Sequence, residues 1–159
     1  MILLKKLLTF ICLFVFITGC QQHAIENTDP NQNQVNDTKQ GNQKIDKLFA
    51  TIDNQDFSIT LENNKTVDAL IEQLPMSITM DDLHGNEKYV YLDYKLPAQS
   101  ELINYIKAGD FMLFGNDCLV FFYKDFSTSY RYTRLGHVDD VSSFVKKMNQ
   151  ESIQFTIHL

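Results

Sequence analysis

The chain has 159 residues, 44% of them apolar and 21% charged, a length that accommodates one globular domain and no second of ordinary size. A net charge of −6, with Arg131 and Arg134 the only arginines, argues against a nucleic-acid partner, which needs a basic face to displace phosphate counterions. Three widely separated cysteines, Cys12, Cys20 and Cys118, are too few and too scattered for a disulfide scaffold or a zinc centre.

The first segment reads as an address. Lys5 and Lys6 form a basic start, and Leu7 to Phe16 is almost continuously apolar. That apolar run has signal-peptide length and is too short to span a bilayer. It ends in Ile17-Thr18-Gly19-Cys20, which resembles a bacterial lipobox. The resemblance implies a lipoprotein signal over residues 1–19, cleavage before Cys20, and diacylglyceryl attachment to the Cys20 thiol. Two or three acyl chains hold a protein durably on a membrane, where one holds only marginally. The expected location is therefore the extracytoplasmic face of a cell membrane, with the membrane engaged through the lipid anchor.

Residues 20–44 read as a tether. Gln21 to Lys44 holds eleven Asn or Gln among 24 residues, too polar to offset chain entropy by burial. A flexible coil of this length spans about 25–30 Å root mean square, enough to hold a domain clear of a membrane.

The domain expected over residues 45–159 holds nine Phe and seven Tyr, ample for a core. Lys47 to Ile52 and Asp56 to Glu62 flank Asp53-Asn54-Gln55 as a hairpin. Val67, Leu70, Ile71 and Leu74 have helical spacing, with Thr66 as the expected N-cap and Pro75 as the stop. Glu87 to Tyr94 alternates as a strand, with Tyr89, Tyr91 and Asp93 on one face. Ser100 to Ile106 is expected to form a short helix before Gly109. Asp110 to Phe114 and Cys118 to Lys124 form a hairpin around Gly115-Asn116-Asp117. The run Leu119 to Tyr123 is apolar on both faces, which predicts a covered central strand. Val141, Phe144, Val145 and Met148 form a second helix capped by Asp139 or Asp140. Ile153, Phe155, Ile157 and Leu159 alternate in a last strand. The expected fold is mainly β: a closed antiparallel barrel with two or three short helices at its ends.

Three stretches carry a resemblance. They are Leu74-Pro75-Met76-Ser77-Ile78-Thr79-Met80-Asp81-Asp82-Leu83-His84-Gly85-Asn86-Glu87-Lys88-Tyr89, then Gly109-Asp110-Phe111-Met112-Leu113-Phe114-Gly115, then Ser129-Tyr130-Arg131-Tyr132-Thr133-Arg134-Leu135-Gly136. Together they resemble a bacterial cyclophilin-like domain family over roughly residues 47–159, which implies an eight-stranded barrel related to cyclophilin. Cyclophilins proper carry a Phe-His-Arg motif whose Arg donates to the proline amide nitrogen, lowering a rotational barrier of about 18–20 kcal/mol. The comparable strand here reads Tyr89-Val90-Tyr91-Leu92-Asp93-Tyr94 without an Arg, and the glutamine-rich motif of the cyclophilin pocket is also missing. Arg131 or Arg134 would have to substitute from another strand.

Other chemistry finds little footing. A Gly-x-Ser-x-Gly elbow is lacking. Cys118 lies beside Asp117 at the start of an apolar run, which predicts a buried thiol of raised pKa. His84, His137 and His158 lack metal-ligand spacing, and Asp81-Asp82 with Gly85, Asn86 and Glu87 does not match an EF-hand loop and reads as a turn and helix cap. No catalytic residue, metal or cofactor is assigned. The aromatic residues point to binding, because tyrosine offers an apolar body with a polar tip. Tyr89 and Tyr91 share one strand face, Tyr130 and Tyr132 another. With Phe114, Phe122 and Arg134 they form the expected ligand-binding set, with Arg134 or His137 at the groove's edge. The expected activity is a monomeric peptide- or small-molecule-binding module, with a divergent prolyl isomerase of exported proteins as the alternative.

Overall fold

A computed structural model of the protein describes residues 44–159; the signal-like segment, Cys20 and nearly all of the tether lie outside the described residues. Eleven strands and two helices follow in order: β1 Lys47–Ile52, β2 Gln55–Leu61, α1 Lys65–Ile71, β3 Met76–Leu83, β4 Glu87–Tyr91, β5 Glu101–Leu102, β6 Tyr105–Ile106, β7 Asp110–Phe114, β8 Cys118–Phe122, β9 Phe126–Ser127, β10 Arg131–Val138, α2 Val141–Lys147 and β11 Ser152–His158. The strand order β2-β1-β11-β3-β4-β8-β7-β10 closes through β2–β10 pairing into an eight-stranded antiparallel barrel. β5 adds to the free part of β10, and β6 pairs with β9.

Turn chemistry sets the registers. Asp53 and Asn54 both take left-handed φ values, 48° and 60°, as a two-residue hairpin turn requires. Gln55 is therefore the first residue of β2, paired with Ile52. His84 and Gly85 are also left-handed, at 55° and 67°, in the three-residue turn between β3 and β4, where Leu83 pairs with Glu87. At the barrel's closure Gly136 is obligatory: a Cβ there would meet the Thr60 carbonyl oxygen at 2.5 Å. The β10–β7 register slips between Arg134 and Gly136, a bulge that adds the local twist closure needs.

The interior is aromatic. Phe121 stacks on Phe111 with centroids 4.2 Å apart and on Phe155 at 5.3 Å. Phe144 of α2 lies against both Phe57 and Phe121 at 5.5 Å, and Val67 and Leu70 of α1 join the same core. A second, smaller core lies on the outer face of β7, β8 and β10, where Met112, Val120, Phe122 and Tyr132 are covered by Ile103, Ile106 and Phe126. β8 thus has a core on each side, and all five of its residues are buried.

Several local expectations are corrected. The cap of α1 is Asn64, whose side chain accepts from the Val67 amide at 3.0 Å. Thr66 instead is buried and donates its hydroxyl to the Pro97 carbonyl. Asp140, rather than Asp139, caps α2; Asp139 is taken up by Lys47, Ser58 and Thr60. The segment 100–106 is not a helix but β5 and β6, broken by Asn104 at φ 64°. β4 ends at Tyr91, because the chain then leaves the sheet and the Leu92 and Leu96 amides donate to Asp117 and Asn116 at the β7–β8 turn.

Candidate binding cavity

The pleat of β8 sends Leu119 and Phe121 into the barrel and Cys118, Val120 and Phe122 outward. Register then dictates their neighbours. Tyr91 lies opposite Cys118, Tyr89 opposite Val120 and Glu87 opposite Phe122 on the β4 side. Phe114 and Met112 flank Cys118 and Val120 on the β7 side, and Tyr132 follows beyond Phe114. The segment Phe126 to Tyr130 borders the same hollow. The result is a cavity of about 580 Å³ on the outside of the barrel wall, with Cys118 and Val120 among its lining residues.

Its walls are rings set at right angles. Tyr89 and Tyr91 meet edge to face at 6.0 Å and 83°, and Phe114 and Tyr130 at 5.9 Å and 86°. Tyr91 and Tyr130 are 63% and 62% exposed, so large aromatic faces are open to solvent rather than packed away. Ser127, Thr128 and Ser129 belong to the lining, the Thr128 hydroxyl accepting from the Tyr130 amide at 3.1 Å, and His84, Asn86 and Glu87 border it from the β3–β4 turn and the start of β4.

Glu87 dominates the electrostatics. Burial, with the Asp82 charge behind it, pushes its carboxyl up from 4.5 to about 7. Among the described residues its side chain has no hydrogen-bond or ion-pair partner. Asn86 Oδ1, next in sequence, is buried without a donor among them. Burial raises the Cys118 thiol to about 11, with Glu87 and Asp117 adding to the effect. It is therefore a neutral thiol at physiological pH and a poor nucleophile. Burial and Glu87 likewise raise Tyr132 to about 12.

Of the residues expected to bind ligand, Tyr89, Tyr91, Phe114, Tyr130 and Tyr132 line the cavity together. Phe122 does not: it is fully buried in the second core, 5.6 Å from Phe126 and 5.5 Å from Tyr132. Nor does Arg134, which turns to Glu101 of β5 at 3.2 Å. Arg131 donates to the Ser100 carbonyl at 2.8 Å, and His137 pairs with Asp110 at 3.0 Å, so neither lines the cavity. Ser100 and Glu101, at the start of the β5 attachment, hold the two guanidinium groups at the edge of β10, a pairing that a helix over residues 100–106 would not provide. Glu87 was legible, since it lies two and four residues from Tyr89 and Tyr91 on one strand face. Its place in an acidic stretch assigned to turn and cap work obscured it. Among the described residues no group of three or more His, Cys, Asp or Glu is placed to hold a metal, and no helix is long and apolar enough to cross a membrane.

A family model described as the cyclophilin-like family matches residues 50–158 of this sequence. No curated protein matches it. Among solved structures it is similar to the solution structure of a hypothetical protein from Archaeoglobus fulgidus, at 17% identity and a TM-score of 0.45, covering 70% of this chain and 92% of that one.

Proposed function

The chain belongs to the cyclophilin-like family, and from that premise we propose that its barrel is a binding module for a peptide segment or small molecule, held on the extracytoplasmic face of a membrane by lipid on Cys20. The observation that carries the binding reading is the aromatic-walled cavity beside β8, a concave site of the size ligand pockets have. Neither arginine lines it. Twisting a prolyl amide frees a lone pair on nitrogen, and catalysis needs a donor fixed where that pair develops. The cavity offers hydroxyls and a carboxyl group in place of a guanidinium, a composition suited to holding a ligand more than to turning a proline. Exchange spectroscopy on an X-Pro peptide tests this directly. The expected result is a rate close to the uncatalysed background; an acceleration of about a hundredfold would replace the binding reading with the isomerase.

The anchor rests on the basic start, the apolar run and the Ile17-Thr18-Gly19-Cys20 tetrapeptide. Expressed with its signal in a bacterium, the wild type should partition into the detergent phase, and Cys20→Ala should remain unprocessed. Normal processing of Cys20→Ala, with a wild type found in the aqueous phase, would remove the anchor from the proposal.

A further inference from the structure

We infer that the cavity selects an organic cation bearing an alkylated ammonium group, with Glu87 as its counter-ion and the orthogonal rings as its walls. This rests on the reading of the barrel as a binding module and adds the ligand's chemistry to it.

Three observations converge on that class. The first is ring geometry. Tyr89 and Tyr91 of β4 stand at 83° to each other on one flank, and Phe114 of β7 stands at 86° to Tyr130 of the segment before β10 on the other, with Cys118 and Val120 of β8 between β4 and β7. Ring faces are the negative side of an aromatic, and a cation is attracted within about 6 Å of a ring centroid. Perpendicular pairs on two flanks offer such faces in several directions. A flat apolar ligand is served by parallel walls instead.

The second is charge. Glu87 borders the cavity, and among the described residues no Lys or Arg lines it; of those residues the one able to become cationic is His84, at its rim and exposed. The Glu87 carboxyl has no partner among the described residues, and its raised affinity for a proton is what an uncompensated half-buried carboxylate shows. A ligand cation provides the missing counter-charge.

The third separates an alkylated ammonium from a primary one. A primary ammonium is strongly hydrated and carries three donors, all needing acceptors where the walls are rings and the hydroxyls lie along Ser127 to Ser129. An alkylated nitrogen has little hydration to lose and no need of three acceptors, so apolar walls hold it at small desolvation cost. The cavity's volume of about 580 Å³ leaves space for the rest of such a molecule beside the charged group.

The experiment is calorimetric titration of the full chain in a non-ionic detergent with choline, and with its uncharged carbon isostere in which a tert-butyl group replaces the trimethylammonium. Choline should bind, and the isostere should bind about tenfold more weakly or worse, a difference of about 1.4 kcal/mol. Glu87→Gln should reduce that preference to the share the rings supply while retaining isostere binding, which also reports that the variant is folded. Tyr130→Leu, at a largely exposed position, should weaken choline and leave the isostere little changed. Equal binding of choline and isostere by the wild type would overturn the cation reading and leave a binding module for apolar ligands. Absence of binding by choline, the isostere and an X-Pro peptide alike would overturn the module itself. Retained preference in both variants would show that charge selection lies elsewhere than Glu87 and the rings.

Discussion

Lys88 Nζ meets Asp82 Oδ1 at 2.9 Å with the ammonium fully buried and the carboxylate side chain 25% exposed. Lys88 points inward from β4, opposite Phe121. Its ammonium also donates to the Gln150 carbonyl and lies 5.7 Å from the Tyr123 ring centroid. Burial works against the Asp82 charge, but hydrogen bonds from Tyr123, Lys88 and the Gly85 amide outweigh it and hold the carboxyl below its ordinary value. The two ends of the pair are therefore unequal. Asp82→Ala strands a buried cation and should cost about 3–5 kcal/mol, while Lys88→Met leaves Asp82 with Tyr123, Gly85 and water and should cost about 2 kcal/mol or less. Urea denaturation of both variants checks the order; the reverse order would mean that the lysine is held chiefly by Gln150 and Tyr123.

Glu87 gives stability an acidic preference. With a folded-state pKa of about 7 against an ordinary 4.5, the native state keeps a proton that the unfolded chain releases. Stability from this group therefore falls as pH rises from 4.5 to 7 and is level above that. The titratable and charged groups near it are Asp82 of β3, Cys118 of β8, Tyr123 just after it and Tyr132 of β10, with His84 on the same cavity, Lys88 next in sequence and Lys124 beside Gly85 of the turn. All are common to wild type and Glu87→Gln, so the difference between the two isolates Glu87. The variant should be the more stable by on the order of 1 kcal/mol at pH 8 after solvent screening, and the advantage should shrink towards pH 4.5. Thermal melts across that range measure it, and a pH-independent difference would contradict it.

Gly136→Ala should cost about 1–3 kcal/mol by overpacking. The obstructing atom is the Thr60 backbone oxygen, which cannot swing aside as a side chain would. Because this contact closes the barrel between β2 and β10, amide exchange in Ile59 to Leu61 should rise first. A shift confined to β7 would point to the bulge instead.

Asn64 joins two elements: Oδ1 caps α1, while Nδ2 donates to the Arg134 carbonyl at 2.8 Å. Asn64→Ala should cost about 1–2 kcal/mol, and Asn64→Asp, which keeps the cap and loses the donor, less. Denaturation midpoints of the two variants separate the roles.

How far the fold was legible depended on whether the determining contacts were local. The Asp53-Asn54 turn and the Val141 to Met148 spacing identify their elements because each signal lies within a few residues. β8 was legible because an apolar run on both faces has few other uses. Thr66 misled as a cap because Asn64 and Thr66 are both good capping residues, and the choice was made by the distant carbonyls of Arg134 and Pro97. Residues 100–106 misled because their apolar spacing fits a short helix, whereas pairing with β9 and β10 decided the outcome. The tyrosines of β4 were placed on one face by strand period alone, but whether they faced a cavity depended on β7 and on the segment after β8. Arg134 has the right strand parity for the outer face; Glu101, more than thirty residues earlier in sequence, takes it away.

The strand beneath the cavity has a consequence for redesign. Cys118 and Val120 face the cavity side, while Leu119 and Phe121, alternating with them, face the interior core. A slip of one residue in β8 would exchange the two sets, so the floor is as constrained as the barrel itself. The exposed rims, Tyr91, Tyr130 and Phe114, carry no comparable obligation. The rim side chains can therefore be exchanged with little cost to the fold, and a recognition surface can be written there while the strand below it stays untouched.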